Sequence, residues 1–345
     1  MSETNTDTAI TPAPAAKPVL SLGQRLAATD PAVLEAQVIS HRDALVALID
    51  DTTLTDATRA AVRNIAALAS PSRPGLEEMG GTWSIPRAAI AQPTSNSDNK
   101  PESAKNGDIY TTSGQLLERP AAVIPLYLYE ENIMFPAAAA GSKVPLCQSI
   151  DAKLGSPFGE CVKCPNLPFG KQNGGRGEQQ QTECYSNIVI YALTADLQQV
   201  IKFQFGKTSR KAGSALHALV RQQQMVWKQS YLLNTEKKTG NLGVYWIYNV
   251  APTGKNNGDD VAKMCAAING LLNAERQVQL ANWYSRPARA PMIAAEAEAE
   301  FGGGALAEGL GASIDVTPIE PDLSTPVTPP PPPSGKSARN SSKPM

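Results

Sequence analysis

The sequence predicts an α+β protein: a small Greek-key β-barrel of the OB type with a metal-binding insertion, an N-terminal helical hairpin, a C-terminal helix and disordered ends. Three observations lead there. Short runs rich in β-branched and aromatic residues gather in the middle of the chain, apolar residues recur at helical spacing on either side, and the composition shifts at the two ends, toward Thr, Ala, Pro and Ser at the first and toward Ala, Glu, Gly and Pro at the second.

Residues 1–20 are mostly Thr, Ala, Pro and Ser and read as a disordered arm. The hairpin spans 21–70. Asp30-Pro31 supplies an N-cap carboxylate and a proline at the first helical position, and Val33, Leu34, Val38, Leu45, Leu48 and Ile49 follow at near-helical spacing. Asp50-Asp51-Thr52-Thr53 interrupts the pattern, and a second helix starts at Thr55 or Asp56 and runs through Val62, Ile65 and Leu68. The barrel core spans 80–255. Its strands are expected at 108–111, 121–129, 188–193, 200–205 and 244–250, with Pro125 marking an edge strand or a bulge. Gly206-Lys207-Thr208-Ser209 opens an amphipathic helix carrying Ala215, Leu216, Leu219, Val220 and Trp227. A last helix spans 258–286, and 287–345, with alternating Ala and Glu, three glycines and a proline run, reads as a disordered acidic tail. There is no internal repeat.

The formal net charge is −1, but the charge is unevenly placed. Residues 143–255 carry 14 Lys and Arg against 6 Asp and Glu; the counts are 5 against 8 in 1–70 and 3 against 7 in 291–345. A basic middle between acidic flanks points to an anionic partner for the core. No apolar run is long enough to span a membrane and no signal-peptide pattern opens the chain, so a soluble protein in a reducing compartment is expected.

Four of the five cysteines, Cys147, Cys161, Cys164 and Cys184, are spaced C-x13-C-x2-C-x19-C. Thiolates are good ligands for Zn²⁺, and a structural site closes a tetrahedron with four of them. The expectation is one structural zinc held by this set within 147–184, where glycines let the backbone turn tightly around an ion. The alternatives are a redox Cys-x-x-Cys or simply buried thiols, with His217 as a substitute ligand. Cys265, on the apolar side of the last helix, reads as an inert core thiol.

Residues 200–240 hold Lys202, Lys207, Arg210, Lys211, Arg221, Lys228, Lys237 and Lys238 against one acid, Glu236, with Phe203, Phe205, Trp227, Tyr231, Tyr245, Trp246 and Tyr248 in or beside the strip. Cations neutralise phosphates and exposed rings stack on unpaired bases, which is what single-strand binding requires. A plain solvated basic face is the competing reading. Charge and position single out Lys202, Phe203, Lys207, Arg210, Lys211, Trp227, Lys228 and Trp246 as DNA contacts. Gly206-Lys207-Thr208 invites a P-loop reading, but the position five residues before Gly206 is Ile201, so the motif fails. With only His41 and His217 in the chain and no paired carboxylates in the core, a non-enzymatic protein is expected.

Gly107-Asp108-Ile109-Tyr110-Thr111, the strand at 123–129, Cys147-Gln148-Ser149, Cys161-Val162-Lys163-Cys164-Pro165, Cys184 and the strand pair leading into Lys207-Thr208-Ser209 together resemble bacteriophage single-stranded-DNA-binding proteins, in particular the RNA polymerase cofactors of N4-like phages. The resemblance covers 107–250 and implies an OB-like barrel with a zinc insertion, cooperative coating of single strands as a homo-oligomer along DNA, contact with RNA polymerase or replication proteins, and work in the host cytoplasm. The rival expectations are a zinc-stabilised structural or assembly protein without DNA affinity, and a zinc-dependent enzyme with an open metal position.

Overall fold

A computed structural model describes residues 20–70, 83–93, 99–134, 145–156, 159–164, 184–240 and 243–286. The expected arm, apart from Leu20, the tail 287–345 and residues 165–183 of the cysteine stretch lie outside them.

The helical start follows its caps. α1 (Leu22–Ala27) begins at Ser21, whose Oγ accepts from the Gln24 N–H while Gln24 Oε1 accepts from the Ser21 N–H. In α2 (Pro31–Ala47), Asp30 Oδ1 accepts from Ala32 N–H at 2.9 Å and Pro31 occupies the first turn. A 3₁₀ turn, Leu48–Asp50, leads to α3 (Asp56–Leu68), capped by Thr55.

The strands follow as β1 (Ala88–Ile90), β2 (Ile109–Thr111), β3 (Leu116–Leu117), β4 (Ala121–Met134), β5 (Cys147–Ser149), β6 (Leu154–Gly155), β7 (Gly159–Glu160), β8 (Cys184–Thr194) and β9 (Val200–Phe205). Then come α4 (Arg210–Arg221), the hairpin of β10 (Gln229–Gly240) and β11 (Gly243–Asn256), and α5 (Asp259–Ser285). The mixed α+β class holds. Trp227 lies beyond α4, which ends at Arg221. β10 went unread because Asn234-Thr235-Glu236-Lys237-Lys238 is polar, although Tyr231, Leu233 and Thr235 are buried on alternate positions.

The described strands form no closed barrel. The main sheet is antiparallel and open, in the order β11-β10-β4-β8-β9, with β5 on the end of β4 and β1-β2-β3 as a separate small sheet. Closure of that sheet would pair its outer strands, β9 with β11. Instead, Lys202 N–H on the β9 edge donates to Pro86 carbonyl at 2.9 Å. On the β11 edge, Gln92 Nε2 donates to Trp246 carbonyl and Trp246 N–H donates to Gln92 Oε1, both at 2.8 Å, while Tyr248 N–H donates to Ser209 Oγ.

Both faces of the sheet bury apolar residues, which gives layers instead of a barrel. On one face Ile124, Leu126, Leu193 and Val200 share a core with Leu45, Val62 and Ile65 of the first helices and Met264, Ile268 and Leu271 of α5. On the other, Ile188, Ile190, Phe203, Phe205 and Tyr248 pack with Ala212, Leu216 and Val220 of α4. Each fully buried Leu, Ile or Phe is worth about 1.5–3 kcal/mol. Pro125 sits at a bulge of β4: the pairing with β8 slips between Pro125 and Tyr127, so Leu126 is the extra residue. Asn269 of α5 donates to its carbonyl at 2.6 Å.

Further along, α5 holds the loop that carries the cysteines. Arg276 donates to the Ile150 carbonyl, Trp283 Nε1 to the Leu154 carbonyl at 3.0 Å, and Tyr284 hydroxyl to Asp151 Oδ2 at 2.6 Å.

Candidate nucleic-acid interface

Strand alternation decides which side chains meet. In the register of β4, β8 and β9, Tyr127 lies opposite Tyr191 and Tyr191 opposite Lys202; Tyr129 lies opposite Val189 and Val189 opposite Gln204; Glu131 lies opposite Asn187. These residues share the α5 face. The neighbouring positions, Ile188, Ile190, Phe203 and Phe205, point to α4.

The result is an aromatic and cationic cluster beside the helix-covered part of the face. Ring centroids of Tyr127 and Tyr129 are 6.2 Å apart, and those of Tyr129 and Tyr191 are 6.0 Å apart. Arg276 of α5 places its guanidinium 3.9 Å from the Tyr129 ring centre, and Lys202 Nζ stands 6.0 Å from the same ring. Tyr127, Tyr129, Tyr191 and Lys202 are half-buried, so each keeps some surface. Burial holds the Tyr129 and Tyr191 hydroxyls above the usual tyrosine range, and the two are hydrogen-bonded to each other. At neutral pH both stay protonated and able to donate.

Next to the rings the face turns polar. Glu131 is 4% exposed and accepts from Gln204 Nε2. Asn187 leans over Gly206, where a Cβ would come within 2.1 Å of its Oδ1, so a larger residue there would have to push the amide aside. Lys207 follows with φ of 47°, a left-handed conformation uncommon outside glycine, and its Nζ lies 4.4 Å from the Tyr185 ring centre. Alternation places Tyr185 on the same face as Tyr191.

Among the eight predicted contacts, Lys202 and Lys207 therefore flank one surface. Arg210 is close by but is held to Ser186, through Nε to the carbonyl at 3.1 Å and Nη2 to Oγ at 3.3 Å. Lys211 is exposed on the first turn of α4. Phe203 is fully buried, 6.5 Å from Phe205 and 6.2 Å from Tyr248, and offers no ring to a base. Its expected role is corrected: the Lys-Phe-Gln-Phe alternation of β9 sends Phe203 to the core. Trp227 packs against the α2–α3–α5 core, with half-buried Lys228 beside it. Trp246 belongs to the opposite face, over Gly107 and 5.3 Å from the Arg119 guanidinium. Tyr127, Tyr129, Tyr191 and Arg276 were missed, though the Tyr-x-Tyr spacing in β4 already put two rings on one face.

The four cysteines come together at the end of the sheet. Cys147, Cys161 and Cys184 are buried and Cys164 is half-buried, and none is in a disulfide. Cys147 and Cys184 face each other across Met134, each paired with it in the ladder. A Cβ on Gly155 would fall 2.8 Å from Cys147 Sγ and 3.7 Å from Cys161 Sγ, so glycine there leaves the sulfurs room. The Cys184 thiol is pushed up to about 12, first by burial and then by the nearness of Cys164, Cys147 and Cys161. Four thiols of this kind fit the donor set of a closed zinc site. Among the described residues, however, no group of three or more His, Cys, Asp or Glu side chains stands arranged to hold a metal ion.

Among the described residues no helix is long and apolar enough to cross a membrane. Neither the curated proteins nor the solved structures hold a match to the chain. A family model described as "Pam3 phage gp34-like protein" matches residues 64–277, more than half of the 345 residues and the stretch that holds the whole sheet, the cysteines and most of α5. The chain accordingly belongs to the Pam3 phage gp34-like family, a family of bacteriophage proteins.

Proposed function

We propose that this phage protein binds single-stranded DNA on the α5 face of its sheet. The observation that carries the reading is the half-buried Tyr129–Tyr191 pair with Lys202 and Arg276 beside its rings. Aromatic faces stack on unpaired bases regardless of sequence, and lysines along the rim neutralise the backbone. Lys207 over Tyr185 extends the same chemistry along the strands. The work is binding and not catalysis, in the host cytoplasm, in support of phage replication, recombination or transcription. Its resemblance to the N4-like cofactors favours a partnership with RNA polymerase and coating of DNA by several copies. Barrel closure plays no part in this version of the interface; an open sheet face serves the same purpose.

Cys147, Cys161, Cys164 and Cys184 hold one zinc ion in this reading, and the ion's contribution is to fold. It ties β5 and β8 to the turn around Cys161, next to Tyr185. Titration of an unstructured oligonucleotide by fluorescence anisotropy at 50 and 200 mM salt tests the DNA reading. Binding that weakens steeply with salt is expected; absence of binding at 50 mM refutes it. Metal analysis of the purified chain is expected to give one zinc per molecule.

The rival reading, a phage assembly protein, draws support from α2, whose outward face leaves Val33, Ile39 and Val46 about half exposed, at 48%, 54% and 45%. It predicts self-association without affinity for DNA.

A further inference from the structure

The two sides of α2 differ in character. Inward, Leu34 shares a core with Leu280 of α5, and Leu45 shares one with Ile268 and Leu271. Outward, Ala32, Ala36, Ile39, Asp43 and Val46 are all exposed, Ile39 at 54%. Their steps of four, three, four and three residues are those of a seam along which two helices pack, the a and d positions of a heptad. A helix side that meets only water is polar and charged. This one carries a single charge in five positions, and its largest side chain, Ile39, stands at the centre.

The flanks of the seam say what the second helix is. Glu35 and Arg42 occupy the g positions on one side; Val33, Ser40 and Ala47, all uncharged, occupy the e positions on the other. In an antiparallel pair g faces g and e faces e, and these flanks set partner and orientation. An identical helix running the opposite way brings Glu35 beside Arg42 of the second copy and Arg42 beside its Glu35, while the uncharged flanks meet each other. Within the seam Ile39 lies against Ala36 of the other helix and Asp43 against Ala32, large beside small. A parallel pair would stack Asp43 on Asp43 and leave Glu35 and Arg42 opposite Ser40 and Ala47. Arg42 is half-buried and its Nε donates to the Ala69 carbonyl at 3.1 Å, which fixes the cation beside the seam.

We propose that two copies of the chain dimerise through an antiparallel contact of their α2 seams, about a two-fold axis near the middle of the helix. A helix of 17 residues is about 25 Å long, so the area covered falls in the small class of interfaces and the dimer is weak and reversible. The dimer forms without DNA and does not depend on the single-strand reading.

The test is sedimentation velocity of the full chain without DNA, from about 1 to about 100 µM, where a passage from monomer to dimer is expected. Ile39→Glu, at an exposed position, is expected to keep the chain monomeric throughout, with an unchanged melting curve. If that variant does not fold, Ala36→Glu, placed opposite Ile39 of the second copy, serves in its place. Glu35→Arg sets cation against cation at both flanks and is expected to weaken the dimer about fivefold, whereas a parallel pair would not respond. A chain that stays monomeric overturns the proposal and assigns the seam to a different protein or to another segment of this chain. A dimer that survives both seam variants, or is not weakened by Glu35→Arg, overturns it too, as does growth past the dimer, since a two-fold contact uses the seam up. None of these outcomes alters the oligonucleotide titration, which decides the single-strand reading separately.

Discussion

On the α4 face of the sheet Ile188, Ile190, Phe203 and Phe205 are all buried; one step along the same strands, on the α5 face, Tyr191, Lys202 and Gln204 are half-buried and polar. The backbone and the strand order are shared, so the difference lies in the side chains and in what covers them. Phe203 and Phe205 stand edge-on to Tyr248 and lie under Leu216 and Val220, where no surface remains. The other face is covered by α5 along β4, and its tyrosines carry charges against their rings. The first arrangement gains stability from burial. The second retains aromatic surface and positive charge, and that is surface a partner can use.

The comparison can be broken most severely from the buried side. Phe203→Ala is expected to lower stability by about 3–5 kcal/mol in urea denaturation, because a large ring leaves a cavity that its neighbours fill only in part. Lys202→Ala, one residue away, is expected to change stability by less than about 0.5 kcal/mol. Equal effects would mean that the faces do not differ as described.

From the polar side the readout is affinity. Tyr129→Ala is expected to weaken binding of a thymidine 15-mer by about 1–3 kcal/mol, as one lost stacking partner does. Next in size, Lys207→Ala is expected to reduce the slope of log affinity against log salt by about 0.7, the value for one phosphate contact on a single strand. An unchanged slope would remove Lys207 from the interface.

A separate effect, on stability and not on affinity, comes from α5, the helix that covers the face. Glu275 has a buried Oε1 with no hydrogen-bond partner among the described residues, and burial pushes its carboxyl from 4.5 up to about 7, with Arg42 pulling the other way. A raised carboxyl favours the protonated form in the folded state. The penalty is therefore absent below about pH 4.5, grows as pH rises and is complete above about 7. Glu275→Gln is expected to raise Tm at pH 8.5 and to leave it unchanged at pH 4.5 in paired melting curves.

Much of the frame was legible in the residues. Asp30-Pro31 marked the start of α2, Pro125 marked an edge strand or a bulge and a bulge is found, and the β-branched and aromatic run at 200–205 marked β9 with its bounds. The open sheet was not legible, and a barrel was expected in its place, because short strands of this composition suit several topologies and only the pairing of β10 with β4 defines the open order. Phe203 was misplaced although its own strand held the answer, since Lys202 and Gln204 are the polar half of the alternation. The meeting of Tyr129, Tyr191, Lys202 and Arg276 lay further out of reach. It depends on the register of three strands and on a helix more than 140 residues after Tyr129. A contact of that kind leaves no local periodicity to read.

The two hydrogen bonds between Gln92 and Trp246 also bear on how this chain lives among its copies. β11 is 14 residues long, ends the sheet and turns a row of backbone groups outward, which makes it a template for another strand. Gln92 supplies the donor and acceptor a neighbouring strand would have brought to Trp246, Ser209 accepts from the next outward N–H, and Pro252 has none to give. A protein expected to crowd along one polymer is thereby kept from becoming another. Gln92→Ala would reopen the edge at Trp246, and growth from chain to chain would start there.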